Sequence, residues 1–427
     1  MSGSVAVAER IVSVLERVLG APVSIRVRGW DGSEAGPADA PTLVISSRRA
    51  IRRLLWQPNE LGLARAYVAG ELDVEGDLYE ALTAVAPLLD SGSRSKATLS
   101  PVDRGELIKT AVRLGAVGPQ PQPPPEEASL HGRRHSRSRD RAAIRHHYDV
   151  GNDFYRIVLG PSLVYSCAYW DSPDSTLESA QAAKLELICK KLGLRPGMRL
   201  LDVGCGWGSM AIHAAREFGV NVVGVTLSGE QVELARKRVV EAGLAGQVDI
   251  RLQDYRDVAD GPFDAISSVG MAEHVGPDQF ERYTRTLYEL LRPGGRLLNH
   301  QIARRPGPRR TAPTFISAYV FPDGELSPIG STVQSVEQAG FEVRDVESLR
   351  EHYALTLRQW VANLTGQWDE AVRLAGAGRA RVWRLYMAGS AKAFEAGWIG
   401  VNQVLAVRTH PDGRSDLPPT RAEWLGA

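Results

Sequence analysis

The chain has 427 residues, of which 43% are hydrophobic and 24% charged, which is typical of a soluble globular protein with room for two domains. With a net charge of only +1, any attraction to an anionic surface must come from local patches. The three cysteines are too few and too scattered for a disulfide framework or a zinc site, and they indicate a reducing, cytoplasmic setting: Cys167, Cys189 and Cys205.

The first predicted element is an amphipathic helix over Ser4–Leu19, because apolar residues recur at helical spacing and the charges lie opposite. We expect its apolar stripe to pack into an N-terminal domain; contact with a membrane surface is the alternative. Residues 1–117 are predicted to form a small α/β accessory domain that contacts lipid or a partner. Its elements are the strands Val23–Val27 and Thr42–Ser46, a helix from Arg48 toward Trp56 and a helix over Leu61–Gly70.

Residues 118–140 are predicted to be a linker, since proline is concentrated in the first half and arginine in the second. Prolines remove backbone donors, so we expect the first half to be an extended spacer. The basic run Gly132–Arg139 could attract anionic lipid head groups, at about 1 kcal/mol per basic residue, or be a solvated linker. Nucleic acid is not expected as a partner, because no aromatic residues interleave the run and no recognition fold adjoins it.

The segment from Ile144 to Trp170 is dense in polar, aromatic and glycine residues that follow neither a helix nor a strand period. It predicts a loop-rich lid or wall at the start of a second domain over residues 141–427. A helix over Leu177–Leu192 then leads into the first strand of that domain.

The rest of the chain is organised around Leu200–Gly208, where a short apolar run passes Asp202 and enters a turn with Gly204, Gly206 and Gly208. Such a turn places backbone N–H groups and a helix N-terminus beside a ligand. Glycine is needed there because a Cβ would block close approach or forbid a positive φ. The pattern therefore predicts a strand, a tight ligand-binding turn and a helix.

Two more strands extend this turn into a βαβαβ unit. Val220–Thr226 is followed by a helix and by Val248–Leu252, which ends just before Asp254. The unit looks like half of an S-adenosylmethionine site, with the first turn at the methionine end, the second strand at the ribose and Asp254 at the adenine amino group. A nicotinamide or flavin site and an unliganded turn are the alternatives, because a Gly-x-Gly-x-Gly pattern alone is weak.

The candidate catalytic side chains follow two later strands. Phe263–Gly270 ends just before Glu273 and His274, and His300 lies near the end of Arg296–Ile302. Ligands of open α/β sheets bind at the carboxyl ends of the strands, so we expect these side chains where chemistry occurs. Two final strands would complete a seven-stranded Rossmann-like sheet: Phe341–Leu349 and Val401–Val407.

Five sequence blocks together resemble the cyclopropane-fatty-acyl-phospholipid synthase family, which includes the mycolic acid cyclopropane synthases. The resemblance covers roughly Ile144–Val407, and it is specific because many methyltransferases share the glycine turn but not the other blocks. It implies the class I methyltransferase fold. The blocks are His147-Tyr148-Asp149-Val150-Gly151-Asn152, Tyr165-Ser166-Cys167, Asp202-Val203-Gly204-Cys205-Gly206-Trp207-Gly208, Gln253-Asp254-Tyr255-Arg256-Asp257 and Gly270-Met271-Ala272-Glu273-His274-Val275-Gly276.

The resemblance implies methyl transfer from S-adenosylmethionine to the cis double bond of a phospholipid acyl chain, giving a cyclopropane fatty acid. It also implies a bicarbonate ion that takes up the departing proton, and no metal. The implied cofactor positions are Tyr165, Ser166, Asp202, Gly204, Gly206, Thr226, Gln231, Asp254 and Tyr255. The implied bicarbonate positions are the backbone of Cys167 and Ile302 and the side chains of Glu273, His300 and Tyr353, of which Glu273 and His300 would orient the ion and relay its proton.

Two alternatives stay open. The same methyl transfer could end in a methylene- or methyl-branched fatty acid, and every residue named above would be shared. The chain could instead be a non-catalytic lipid-binding protein. The expected setting is cytoplasmic, with peripheral association to membrane phospholipids, and a homodimer would let two active sites face one membrane.

The family often has a cysteine where the late helix of this chain has Ser390. We interpret Ser390 as a packing position, because methyl transfer and proton loss need no covalent step on the protein. Ser390→Ala is therefore expected to keep most of the methyl-transfer turnover, and Ser390→Cys serves as the matched control. A large loss of methyl-transfer turnover in Ser390→Ala, together with full turnover in Ser390→Cys, would contradict this interpretation.

Overall fold

The computed structural model describes residues 6–94, 105, 109–129, 136, 139–140, 142–143, 147, 150–307 and 313–425. Its helices are, in chain order, α1 Val7–Leu19, α2 Arg48–Trp56, α3 Glu60–Val68, α4 Leu78–Arg94, α5 Asn152–Leu159, α6 Leu177–Leu192, α7 Ser209–Phe218, α8 Gly229–Glu241, α9 Ala272–Val275, α10 Pro277–Leu290, α11 Phe315–Tyr319, α12 Ile329–Gln338, α13 Arg350–Gly366, α14 Trp368–Ala375, α15 Ala377–Glu395 and α16 Arg421–Leu425. Its strands are β1 Arg26–Arg28, β2 Glu34–Ala35, β3 Thr42–Ile45, β4 Leu72–Glu75, β5 Arg199–Val203, β6 Asn221–Thr226, β7 Val248–Leu252, β8 Phe263–Val269, β9 Leu291–Arg304, β10 Glu342–Ser348 and β11 Ile399–Val407.

The chain divides into two compact units. The first comprises Met1–Ala128, Thr311–Val320 and Gly376–Gly389, and the second comprises Ser129–Arg310, Phe321–Ala375 and Ser390–Ala427. Among the described residues, we find no helix that is both long and apolar enough to cross a lipid bilayer.

The first unit is built on a four-stranded sheet in the order β2-β1-β3-β4. The apolar stripe of α1 packs into its core, where Ala8, Ile11 and Val12 are buried with Val27 of β1 and Leu43 of β3. The expected packing role of this helix is therefore confirmed. The predicted first strand is shorter and begins later than expected, although residues just before it are also buried.

The proline-rich stretch after residue 117 packs on the first unit instead of forming a free spacer. Arg53 donates a hydrogen bond to the Gln122 carbonyl at 2.7 Å, and Arg65 Nε donates to Glu127 at 2.8 Å. The Ala128 N–H donates to the Ala318 carbonyl at 2.7 Å. Proline itself has no N–H to donate, but the carbonyls and side chains of the residues around the prolines still form hydrogen bonds. The first segment of the first unit thus ends at Ala128, which lies inside the predicted linker over residues 118–140.

The arginine-rich half of the predicted linker lies mostly outside the described residues, which include only Ser136 and Arg139 of Gly132–Arg139. Within the second unit, Arg139 Nε donates to Asp323 Oδ2 at 2.6 Å. Contact of this run with lipid head groups stays a prediction.

The second unit contains the predicted seven-stranded sheet, in the order β10-β11-β9-β8-β5-β6-β7. The strands from β9 to β7 are parallel, and β11 is antiparallel to both β9 and β10. Successive side chains of β5 enter cores on opposite faces: Leu200 packs with Ile188 of α6, and Leu201 packs with Leu287 of α10. Helices therefore cover both faces, and the strand ends stay at the edge of the sheet.

The glycine turn follows β5 and leads into α7, as predicted. Its first amides are fixed to the neighbouring strand, since the Gly204 and Cys205 N–H groups donate to the Val225 carbonyl at 2.9 and 3.1 Å. Gly204 has φ +80° and Gly206 has φ +54°, which is the left-handed region. A Cβ on Gly204 would lie 2.5 Å from the side chain of Met271, whereas a Cβ on Gly206 would meet nothing within 4 Å.

Gly204→Ala is expected to lower the free energy of unfolding of the second unit by about 2 kcal/mol, because left-handed strain of about 1–2 kcal/mol adds to the displacement of Met271. Removing the obstructing side chain in Gly204→Ala/Met271→Ala should restore part of the loss. Gly206→Ala carries the same strain without the clash and is the matched control. Thermal and denaturant unfolding measure the effects; equal stability of the two single variants would contradict the contact.

Candidate active site

β5 carries a buried carboxylate near its end, at the predicted cofactor position Asp202. Asp202 is 2% exposed, and its Oδ1 accepts a hydrogen bond from Ser267 Oγ at 2.7 Å. Its Oδ2 is buried and has no hydrogen-bond partner among the described residues. Burial raises the pKa of Asp202 to about 6, so the group is mostly ionised at neutral pH. The second oxygen is thus an acceptor for a ligand that can donate.

Thr226 and Gln231, two predicted cofactor positions, meet at the end of β6. Thr226 Oγ1 donates to Gln231 Oε1 at 2.8 Å, and both side chains are buried. Ser228 caps α8 by accepting from the Gln231 N–H at 3.3 Å. The cap and the side-chain pair together fix Gln231 beside the strand end.

Asp254 and Tyr255 follow β7. The Asp254 carboxylate accepts from Arg256 through both the backbone N–H, at 3.0 Å, and Nε, at 2.8 Å. The ring of Tyr255 packs edge-on against Tyr283 at 5.3 Å. Arg256 therefore holds the carboxylate of Asp254, which is predicted to face adenine. This pairing is not among the predictions from the sequence, although Asp254 and Arg256 are two positions apart in the Asp-Tyr-Arg-Asp block.

Glu273 lies where β9 extends beyond β8. The Ile302 N–H has no strand partner on that side and donates to Glu273 Oε1 at 2.8 Å. Glu273 Oε2 is buried, with no hydrogen-bond partner in the part of the chain that the structure describes. Burial raises the pKa of Glu273 to about 7, although the Ile302 bond opposes the shift. Near neutral pH this carboxyl group can therefore either donate or accept a proton.

His300 lies two residues before Ile302 on β9, so both side chains share one face of the sheet. Its carbonyl accepts from the Gly270 N–H at 2.8 Å, which fixes the strand just ahead of Glu273. Burial, followed by the charges of Lys184 and Lys191, lowers the pKa of His300 to about 3. The ring is therefore neutral at physiological pH.

The other implied bicarbonate residues connect to the same edge through Leu349. The Leu349 carbonyl accepts from the Tyr353 N–H at 3.1 Å and from Cys167 Sγ at 3.6 Å. The Leu349 N–H donates to the carbonyl of Val401, which pairs with Ile302 across β11 and β9. The backbone of Ile302 is predicted to contact the ion, and its N–H donates to the Glu273 carboxylate.

Cys167 is fully buried, and burial raises the pKa of its thiol well above the ordinary value, so it is a thiol and not a nucleophile. His274, the neighbour of Glu273, packs its ring edge-on against Phe321 at 5.7 Å. Burial lowers the pKa of His274 to about 4, so this ring is also neutral.

A cluster of aromatic rings joins the glycine turn to Tyr353. Trp207 packs against Tyr155 at 4.6 Å, Tyr155 against Tyr165 at 5.8 Å, and Tyr165 against Trp360 at 5.4 Å. Trp360 in turn meets Tyr353 edge-on at 6.0 Å. The prediction of a loop-rich lid or wall is wrong for residues 152–159, which form the helix α5, where Phe154 and Tyr155 are buried in the core. Trp360 was missed from the sequence; its signal is the two-turn spacing from Tyr353 along α13.

Lys184 of α6 is a buried cation that sequence reasoning also missed. It is 2% exposed, and its Nζ donates to Ser166 Oγ at 2.8 Å. Burial lowers the pKa of Lys184 to about 8, and its charge acts on Asp202 and His300. The available signal was its position on the apolar stripe of α6, four residues from Ala180 and from Ile188.

Comparison with known proteins agrees with this arrangement. The model of the mycolic acid cyclopropane synthetase family matches residues 135–404. A probable fatty acid methyltransferase from Mycobacterium tuberculosis is 44% identical over 406 residues, covering 92% of this chain and 93% of the relative. The cyclopropane-fatty-acyl-phospholipid synthase of Escherichia coli is 41% identical over 278 residues, covering 65% of this chain and 71% of that protein.

Among solved structures, a mycolic acid cyclopropane synthase in complex with SAH and CTAB aligns with a TM-score of 0.59 at 36% identity. The alignment covers 62% of this chain and 97% of that one. The family match, the relatives and the seven-stranded sheet confirm the predicted fold, family and S-adenosylmethionine dependence. The chain belongs to the mycolic acid cyclopropane synthetase family of S-adenosylmethionine-dependent methyltransferases.

Proposed function

We propose that this chain transfers the methyl group of S-adenosylmethionine to the cis double bond of an unsaturated phospholipid acyl chain and forms a cyclopropane ring. The observation that carries the proposal is a pair of buried polar atoms on one edge that have no hydrogen-bond partner among the described residues, Glu273 Oε2 and His300 Nε2. They lie at the carboxyl ends of the strands, where the family fold holds its cofactor. The name of the similar Escherichia coli protein supports the phospholipid substrate.

The chemistry starts from a weak nucleophile. The π electrons of the alkene attack the methyl carbon, the carbon–sulfur bond breaks and S-adenosylhomocysteine leaves. A carbocation then remains on the acyl chain of the lipid. Loss of a proton from the added methyl then releases the electron pair that closes the ring. Alignment of the reactants can contribute about 7–11 kcal/mol to such a step. We expect the aromatic cluster to exclude water and the Tyr353 ring to face the cation, at about 2 kcal/mol when desolvated.

The residues at the end of β9 fit a small anion. A protonated Glu273 and an imidazole N–H are both donors. Glu273 Oε2 and His300 Nε2 are buried, and within the part of the chain that the structure describes neither has a hydrogen-bond partner. We infer that Glu273, His300, Tyr353 and the Cys167 backbone would hold bicarbonate, with Ile302 acting by fixing Glu273. A bound bicarbonate would supply a base in a cleft from which water is excluded.

We also propose that the protein works at the surface of a membrane, because its substrate would be an acyl chain of a bilayer phospholipid. The first unit supports this setting with an exposed apolar pair next to arginines: on α2, Leu55 is 46% and Trp56 is 55% exposed. Tryptophan and arginine together are typical of interfacial contacts.

A methylene- or methyl-branched product is the second candidate. It is kept because the relative that spans 92% of the chain is named for methyl transfer to a fatty acid and not for a ring, whereas the relative named for a cyclopropane product spans 65%. Both products require the same methyl transfer and differ in which proton is lost. A methylene product keeps a reducible double bond, and a ring does not.

The test incubates the purified chain with labelled S-adenosylmethionine and liposomes of cis-unsaturated phospholipid, and then resolves the acyl products before and after hydrogenation. A labelled, saturated product with a ring supports the first proposal. A product that takes up hydrogen supports the branched alternative. Binding of S-adenosylmethionine without any labelled lipid would overturn both and favour a non-catalytic lipid-binding protein.

In the same assay, Glu273→Gln is expected to lower kcat by about 10²-fold or more, because the amide cannot exchange a proton. The affinity for S-adenosylmethionine, measured by calorimetry, should stay unchanged. Glu337→Gln, an exposed carboxylate on α12, is the matched control and should behave as wild type. Wild-type kcat in Glu273→Gln would refute the assignment of Glu273.

A further inference from the structure

We propose that Lys191 and Gln403 fix His300 in the neutral tautomer that carries its proton on Nε2, so that His300 serves the site as a hydrogen-bond donor and not as a base. The tautomer follows from the hydrogen bonds alone. Only its catalytic meaning rests on the function proposed above. Lys191 and Gln403 are positioning residues, since neither is proposed to touch a substrate.

The first step is the position of Gln403. It lies directly opposite His300 in the antiparallel ladder between β11 and β9, so the two side chains project from the same face. Gln403 is 0% exposed and His300 is 2% exposed. The distance between Gln403 Nε2 and His300 Nδ1 is 3.4 Å. No bulk water competes for this contact.

The second step is the direction of the Gln403 amide. An ammonium group only donates hydrogen bonds, and Lys191 Nζ lies 2.9 Å from Gln403 Oε1. The oxygen of the amide must therefore face Lys191 and the NH₂ group must face His300. Glu347 and Asp345, the latter at 3.4 Å, pair with Lys191 and compensate its buried charge.

The third step is the imidazole. An amide NH₂ group cannot accept, so His300 Nδ1 has to accept from Gln403 and cannot carry a proton. Because burial and two lysine charges keep the ring neutral, its single proton is on Nε2. That N–H is buried and has no partner among the residues that the structure describes. It is a donor prepared for an acceptor that arrives with the ligands.

The consequence is a division of roles at the strand edge. His300 Nε2–H can orient an anionic or carbonyl oxygen but cannot take a proton while Gln403 holds Nδ1. Glu273, whose pKa of about 7 suits proton exchange, is left as the side chain that can pass a proton on. The resemblance found in the sequence implies that Glu273 and His300 both relay the proton. The tautomer of His300 leaves this role to Glu273.

The experiment is ¹⁵N NMR of the full chain labelled at histidine, because the nitrogen chemical shifts separate the Nε2–H tautomer, the Nδ1–H tautomer and the cation. His300→Gln assigns the signal by its loss. We expect wild type to show the Nε2–H tautomer at neutral pH. Gln403→Glu offers a carboxylate to Nδ1 and should move the proton there, while Lys191→Met frees the amide to rotate and should give a mixture.

Asn402→Asp is the matched control, since it makes the same amide-to-acid change one residue away on the opposite face of β11 and should leave the tautomer unchanged. For methyl transfer, Gln403→Glu is expected to lower kcat at least about tenfold with KM for S-adenosylmethionine unchanged, as the loss of a charge-assisted donor implies. Thermal unfolding verifies that each variant is folded.

An Nδ1–H tautomer or a cation in wild type would overturn the proposal, as would an unchanged Nε2–H tautomer in Gln403→Glu. If Gln403→Glu does not fold, the wild-type spectrum and Lys191→Met decide. If the tautomers behave as expected but no lipid is methylated, the proposed function fails and the inference on His300 stands.

Discussion

The hydrogen bond from the Ile302 N–H to the Glu273 carboxylate is the contact on which the site depends. β9 continues past the end of β8, so this part-buried N–H has no strand partner, and a buried donor without a partner costs about 1–3 kcal/mol. One oxygen of the Glu273 carboxylate accepts from this N–H, and the other oxygen is buried with no hydrogen-bond partner among the described residues. The Glu273 carboxyl group thus both accepts the hydrogen bond from the end of β9 and has a pKa that burial raises to about 7.

Two buried lysines on one helix influence the pKa values of Asp202 and His300, in addition to the larger effect of burial. Lys184 and Lys191 are seven residues apart on α6, which is two helical turns, and each is 2% exposed. Burial raises the pKa of Asp202, and this rise is opposed first by the hydrogen bond from Ser267 and then by the charge of Lys184, which bonds to Ser166. Both lysines disfavour a charged His300. The neutral imidazole of His300 and the ionised carboxylate of Asp202 therefore depend on α6 as well as on the strands that carry them.

What could be predicted from the sequence is what local patterns determine. Strand periods, the glycine turn and the rule that ligands bind at strand ends located the sheet and placed Glu273 and His300 on one edge. The roles of Lys191 and Gln403 could not be found this way, because their contact joins α6 to β11 across a long stretch of chain and each residue alone resembles an ordinary polar position. The packing of Glu127 on Arg65 was missed for the same reason, since composition describes a proline-rich stretch without its partners.

The two buried titratable groups on β9 and beside it favour an uncharged site, and they do so at opposite ends of the pH scale. The pKa of Glu273 is raised from 4.5 to about 7, so its contribution to stability is present below pH 4.5 and is lost as the pH rises toward 7. The pKa of His300 is lowered from 6.5 to about 3, so its contribution is present above pH 6.5 and is lost as the pH falls toward 3. Near neutral pH the site therefore holds a neutral imidazole and a carboxyl group at the point of ionisation. Glu273 can therefore exchange one proton near neutral pH while His300 stays neutral, so this exchange changes the charge of only one of the two buried groups.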